Sequence, residues 1–429
     1  MKGNRVVKNA SWIIICKIIQ SVLAFIIGIL SARYLGPSNY GLVNYAASTV
    51  AFIAPLMYLG FNSTLVQEII SNPEKEGEVV GTAIATSIGS AMICILGVNA
   101  FVAIANAGEI DTAIVCALYS SLLLFQAVDL IQYWFQAKLL SKYTSVAMLG
   151  AYLVVAIYKV WLLVTHKSVY WFALSTSMEY MLIAFALIVI FKRISGVKLS
   201  FSTARARLML KRSGFFILSN MMITIFTQTD RMMLKIMLDD TSTGYYSAAA
   251  ALSVMTSFVF AAIIDSARPV ILESRQSDEV QFELNIQRTY CIVIMLSLVQ
   301  SIGMTLLARP IVLLTYGEQY SESIHALRLV VWYTTFSYIG AVRSVWILAN
   351  GLQKYLWAIN LSGALANVAL NAVLIPIMGI SGAAIASIIT QFFTNVFVGY
   401  LIPAFRPNNK LLVRSLNPRL LKDMVRKIL

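Results

Sequence analysis

The sequence is poor in charge: Asp, Glu, Lys and Arg make up only 12% of its 429 residues. Soluble domains carry about 25%, so a water-soluble globule of this length is excluded. Histidine is nearly absent, with only His166 and His325, far apart in the chain. Neither an H-E-x-x-H, a G-x-S-x-G nor a Walker A pattern occurs, so zinc-hydrolase, serine-hydrolase and self-contained ATPase chemistry find no support. Four cysteines, Cys16, Cys94, Cys116 and Cys291, lie inside apolar stretches without metal or disulfide spacing. They read as small buried hydrophobes. No metal ligand set and no cofactor motif is present, and the sequence points away from an enzyme.

What the sequence has instead is hydrophobic length: 59% of its residues are apolar. About twelve blocks, near residues 10–32, 41–61, 80–106, 112–134, 144–165, 168–191, 214–237, 245–267, 289–308, 326–347, 355–375 and 380–402, approach the roughly 20 residues that a spanning helix needs. Bilayers admit helices or closed barrels. The blocks are too long and too evenly apolar for barrel strands, which alternate. The first follows Lys2, Arg5 and Lys8 but runs from Ala10 to Ala32, beyond the roughly 7–15 residues of a cleaved signal core. It reads as an uncleaved first span. The fold class is therefore all-α integral membrane, with about twelve transmembrane helices.

The net charge is +14, but its distribution follows topology and gives no reason to expect nucleic acid. Lys and Arg concentrate in the N-terminal tail, in 192–212 and after Arg406. By the positive-inside rule this places both termini in the cytoplasm. Residues 68–78 dissent, with Glu68, Glu74, Glu76 and Glu78, although acidic residues weigh little in that rule. The longest polar interruption lies midway. It suggests an N-terminal six-helix lobe over 1–192, a basic cytoplasmic linker over 193–212, a C-terminal six-helix lobe over 213–405 and a basic cytoplasmic tail over 406–429. An internal echo supports two lobes: Tyr40-Gly-Leu-Val-Asn-Tyr-Ala-Ala47 opens the second block and Thr243-Gly-Tyr-Tyr-Ser-Ala-Ala249 the eighth. Lys142-Tyr143 and Lys354-Tyr355 echo one another in the same way. Both lobes begin and end inside, so the pseudo-twofold runs along the membrane normal. After Pro418, Leu420, Leu421, Met424, Val425 and Ile428 alternate with basic residues at helical spacing. This predicts a helix lying on anionic membrane lipids.

Charges inside the spans carry the functional signal, because each costs roughly 2.5–3.5 kcal/mol near the bilayer centre on insertion scales. Asn220, Thr224, Thr227, Arg231 and Lys235 recur at helical spacing on one face, with Gln228 beside them. This predicts a wet lumen. Lys17 with Gln20 in the first span and Lys159 in the fifth add cations. For Lys235 and Arg343 the expected role is snorkelling toward the membrane surfaces or structural pairing. Asp129, Glu179, Asp230 and Asp265 are candidates for ion coupling or ion pairs, with Lys159 and Glu179 a potential pair on consecutive helices. A lumen with cations at several depths suits an anionic substrate. The expected substrate-binding residues are Lys17, Gln20, Lys159, Asn220, Thr224, Gln228 and Arg231.

At these residues the sequence resembles a known family. Ser31-Ala-Arg-Tyr-Leu-Gly-Pro-Ser-Asn-Tyr-Gly41 is similar to the first outer loop of Wzx-type polysaccharide flippases, within the multidrug/oligosaccharidyl-lipid/polysaccharide exporter superfamily. Asp230-Arg-Met-Met-Leu followed by Thr243–Ala249, Gly379-Ile-Ser-Gly-Ala-Ala-Ile-Ala-Ser387, Gln136-Ala and Lys142-Tyr143 resemble further stretches of that family. The resemblance implies two pseudo-symmetric six-helix bundles of the MATE-like exporter fold around a cavity that opens alternately to each side. It implies a substrate of oligosaccharide on polyprenyl diphosphate, flipped across the bacterial cytoplasmic (inner) membrane for O-antigen, capsule or exopolysaccharide assembly. It also implies possible H+ or Na+ coupling, and a polysaccharide polymerase and chain-length machinery as partners. The alternatives are a multidrug/cation antiporter of the same superfamily and a membrane glycosyltransferase or polysaccharide polymerase. Arg231 on the polar face disfavours cationic drugs, and short outer loops disfavour the enzymes.

Overall fold

The computed structural model describes residues 2–417, and among them every regular element is helical. In chain order these are α1 (Lys2–Tyr58), α2 (Phe61–Ser71), α3 (Glu76–Ala105), α4 (Ile110–Ser120), α5 (Leu122–Asp129), α6 (Gln132–Ala137), α7 (Ser141–Val164), α8 (Val169–Ile194) and α9 (Thr203–Met237). There follow α10 (Asp240–Ser253), α11 (Ser257–Ser277), α12 (Glu279–Leu306), α13 (Ala308–Thr315), α14 (Ser323–Ala349), α15 (Leu356–Met378), α16 (Ile380–Phe392), a π-helical turn (Phe393–Phe397), α17 (Val398–Leu401) and α18 (Arg406–Ser415). The amphipathic helix expected after Pro418 lies outside the described residues.

Helix α1 is two helices joined at Gly36, whose φ of 72° and ψ of 170° break the ladder. Glycine tolerates that conformation, and Pro37 is preorganised to start the next helix. Among the described residues, nine helical stretches are long and apolar enough to cross a membrane, and a tenth counts when α10 and α11, bent by 43°, form one span. Every predicted apolar block but 326–347 lies on these stretches, and that one lies on α14. The count falls below about twelve for two local reasons. The stretch Ile15–Ser71 holds two predicted blocks. Helix α14 is diluted by Tyr333, Thr334, Thr335, Ser337, Tyr338 and Arg343.

Packing divides the chain into two compact units, Met1–Gln228 and Thr229–Leu429, so the basic stretch 193–212 belongs to the first. In that unit α1 packs against α7, α4 and α3, while α5 packs against α8 and α3. Phe61, Leu65, Phe135 and Phe191 form part of its core. The Trp134 ring meets Phe135 and Phe191 edge-on, at centroid distances of 5.1 and 5.0 Å, the arrangement that aromatic quadrupoles favour.

In the second unit α14 packs against α12, α16, α10 and α11, and Phe260 stacks on Tyr338 at 3.8 Å. Lys235 and Arg343, expected either to snorkel or to pair structurally, are both buried and partnered here. Arg343 is 4% exposed and donates to the Thr394 carbonyl of the π-helical turn and to Asn395 Oδ1 at 3.2 Å. A π turn misaligns its own ladder, and the guanidinium takes a carbonyl so freed. Lys235 is 5% exposed and bonds Asp240 Oδ2 at 2.7 Å. Within the unit Lys235 thus meets a carboxylate and Arg343 two neutral oxygen acceptors, and both side chains are buried.

Candidate functional site

The first unit contains an open cavity of about 460 Å³. One wall is α1, where Ala47, Val50, Ala51, Ala54 and Tyr58 line it at helical steps of three and four. The alanines leave room where larger side chains would fill the space. The opposite lining comes from Asn62 of α2, Tyr119 of α4, Leu122 and Gln126 of α5, Thr176 and Tyr180 of α8, and Asn220, Ile223, Thr224, Thr227 and Gln228 of α9. Asn220 Nδ2 approaches Asn62 Oδ1 at 3.5 Å. The Thr224 and Thr227 hydroxyls donate to the carbonyl of Asn220 (2.9 Å) and the carbonyl of Thr224 (3.2 Å). Each hydroxyl keeps its acceptor lone pairs for another group. Among the described residues, none that lines this cavity carries a charge.

Of the expected substrate-binding residues, the structure brings Asn220, Thr224 and Gln228 together in this lining. Lys17 is exposed on α1, and Gln20 is half-buried one turn further on. Lys159 is half-buried on α7, within electrostatic reach of Glu179 on α8. Arg231 lies in the second unit, near Tyr333. Sequence reasoning passed over Tyr58, Asn62, Tyr119, Gln126, Thr176 and Tyr180. Their signal was spacing: Tyr119 and Gln126 are seven residues apart and Thr176 and Tyr180 four, so each pair shares a helical face in an apolar block.

The four acidic candidates have different surroundings. Asp129, at the end of α5, is 5% exposed. Gln132 Nε2 donates to its Oδ2 at 2.9 Å, and Tyr58, Tyr133 and Tyr180 lie nearby. Asp265 is exposed and pairs with Arg268 at 3.0 Å, one turn along α11. Asp230 is 7% exposed and is the hub of a network in the second unit. Asn367 and Asn371 of α15 donate to its Oδ1 at 3.2 and 2.8 Å. Tyr246 of α10 and Ser387 of α16 donate to its Oδ2. Helical spacing sets this up, because Asn367 and Asn371 are one turn apart and bond each other at 3.1 Å. Among the described residues, no group of three or more His, Cys, Asp and Glu is placed to hold a metal.

The acidic segment 68–78 also finds its partners. Arg212 bonds Glu68 at 2.6 Å, and Lys138 pairs with Glu76 at 2.7 Å. Arg205 bonds Glu78 Oε1 at 3.2 Å and Asn72 Oδ1 at 3.1 Å. The Ser200 amide donates to the Gly77 carbonyl at 3.3 Å, and the Ser202 amide to Thr82 Oγ1 at 3.0 Å. A Cβ at Gly77 or Gly81 would collide with the backbone of Lys198 or Ser200. The basic linker is thus strapped along the end of α2 and the start of α3, where its Arg205 and Arg212 pair with Glu78 and Glu68.

Comparison with known proteins agrees with this architecture. Residues 6–275 match the family described as polysaccharide biosynthesis protein. The chain is similar to the lipid II flippase MurJ in an inward closed conformation, with a TM-score of 0.76 at 15% identity over 94% of this chain and 90% of that one. It is similar to an inward-facing multidrug resistance MATE family transporter of the MOP superfamily, with a TM-score of 0.69 at 15% identity over 93% and 96%. A MOP superfamily transporter from Pyrococcus furiosus, described as having a binding pocket of reverse polarity, gives 0.62 at 14% identity over 94% and 96%. No curated protein matches. At such identities the solved structures speak for the fold alone, and they share it with this helical membrane chain. The family match covers more than half of the sequence, and the chain belongs to the polysaccharide biosynthesis protein family, with the fold of MATE transporters and the MurJ flippase.

Proposed function

We propose that the protein is a flippase that carries an oligosaccharide on polyprenyl diphosphate from the inner to the outer leaflet of a bacterial cytoplasmic membrane, with both termini cytoplasmic. The observation that carries this reading is the polar, charge-free cavity of the first unit, in a chain of the polysaccharide biosynthesis family. A glycan head cannot cross hydrocarbon unaided, because its polar groups would lose their water without replacement. A lined cavity replaces those hydrogen bonds while the lipid tail stays in the bilayer, and alternating access then turns the head outward.

Lys17, Lys159 and Arg231 are the proposed contacts of the diphosphate. Lys159 also shares its field with Glu179. Asp230 is the proposed site of ion coupling, since four neutral donors meet at one buried carboxylate. A proton or sodium ion moving inward contributes about 2.3 kcal/mol per 100 mV to the reset. The product suits O-antigen, capsule or exopolysaccharide assembly, with a polysaccharide polymerase and chain-length machinery acting next.

The cation-antiporter reading is disfavoured by the absence of any carboxylate among the described residues lining the cavity. The test uses proteoliposomes holding a short oligosaccharide on undecaprenyl diphosphate, with and without a proton or sodium gradient. Protein-dependent exposure of the sugar in the opposite leaflet is expected. Efflux of a cationic dye with no movement of several such lipids would replace the flippase with the antiporter.

A further inference from the structure

A lumen organised by cations would recognise its ligand by charge, yet the cavity of the first unit is built otherwise. Its polar groups include the amides of Asn62, Gln126, Asn220 and Gln228 and the rings of Tyr58 and Tyr180. An anionic group placed there would lose its water, meet no cation in the lining and face Asp129 and Glu179, which lie within electrostatic reach of Tyr58, Tyr119 and Tyr180, at a cost of several kcal/mol. A sugar hydroxyl has no such difficulty. It both donates and accepts, and so does each amide, so water bonds are exchanged for bonds of the same kind. Tyrosine rings offer flat apolar surface to the C–H faces of a sugar. The volume of about 460 Å³ falls within the roughly 300–1,000 Å³ of small-ligand pockets.

We infer that this cavity is the subsite for uncharged sugar residues of a lipid-linked glycan, read by hydroxyl pattern, and that the phosphates are held outside it. The inference rests on the flippase reading and adds a selectivity to it: neutral glycans are carried in preference to acidic ones.

The test measures leaflet exchange in proteoliposomes with two probes of equal length, a neutral trisaccharide and a uronic-acid-containing trisaccharide, each on undecaprenyl diphosphate. The unmodified protein moves the neutral lipid at least about tenfold more efficiently. The isosteric variants Asn62→Leu and Gln228→Met each remove hydrogen bonds without changing volume. Each raises the half-saturating fraction of the neutral lipid by about tenfold, the scale of one lost hydrogen bond, with little change in melting temperature. Gln126→Lys shifts the preference toward the acidic lipid. Equal transport of the two probes, preference for the acidic one, or unchanged half-saturation in both isosteric variants overturns the subsite while the flippase stands. The comparison of probes needs no variant, so misfolding of a variant does not obscure it. If the unmodified protein moves neither lipid, the flippase reading and the subsite fall together.

Discussion

The two units treat polar groups inside a membrane protein in opposite ways. In the first, the helix that continues from Tyr40–Ala47 presents small residues, Ala47, Ala51 and Ala54, to an open cavity whose polar lining is neutral. In the second, the echoed segment Thr243–Ala249 opens α10 and sends Tyr246 onto Asp230, where Asn367, Asn371 and Ser387 complete a closed network. Neutral amides and hydroxyls tolerate an unfilled space, because water or a ligand can occupy it in turn. A buried carboxylate does not, because its charge must be answered by donors held in place. One unit therefore keeps an open, neutral lining, and the other a carboxylate closed in by four donors.

That contrast has a direct thermodynamic consequence. Asp230→Leu leaves four donors facing an apolar side chain and should destabilise the protein by about 3–5 kcal/mol, whereas Gln228→Met in the open cavity should cost less than about 1 kcal/mol. Thermal unfolding in detergent measures both, and equal losses would erase the distinction between a closed and an open polar site. A smaller effect is expected at the strap. Gly81→Val drives a side chain against the Ser200 backbone, a clash costing about 1–3 kcal/mol. Limited trypsinolysis should then cut faster at Arg205 and Arg207, and an unchanged cleavage rate would show that the strap does not depend on this close approach. Arg212→Ala removes the partner of buried Glu68. Because Arg212 is more than half exposed, screening limits the loss to about 1 kcal/mol, and the exchange Glu68→Arg with Arg212→Glu should recover part of it. The smallest effect is Asp265→Asn, within about 0.5 kcal/mol, since its ion pair with Arg268 is exposed on both sides. A large loss of either stability or transport there would mark Asp265 as more than a surface pair.

The strap illustrates where sequence reading stops. Glu68, Glu74, Glu76 and Glu78 stood out as acidic residues in a place where basic ones were expected, and Lys192–Arg212 as a free linker between lobes. Each segment was legible alone. That Arg205 and Arg212 of one pair with Glu78 and Glu68 of the other depends on contacts between residues more than a hundred positions apart, which no local pattern records. Asp230 was singled out because a charge in an apolar block is expensive. Its partners Asn367, Asn371 and Ser387 are ordinary polar residues in other helices and gave no signal of their own.

By itself the sequence determined the helical membrane class, the position of nearly every helix, the interruption between the first two apolar blocks and the polar face of α9. These are local or compositional matters, set by bilayer thickness and helical period. Only the tertiary structure decided which polar groups line a space and which close upon one another, that the cavity of the first unit is neutral, that Lys235 and Arg343 are buried with partners, and that the linker belongs to the first unit. Those outcomes follow from the satisfaction of hydrogen bonds and charges between helices, which depends on packing between residues distant in the chain.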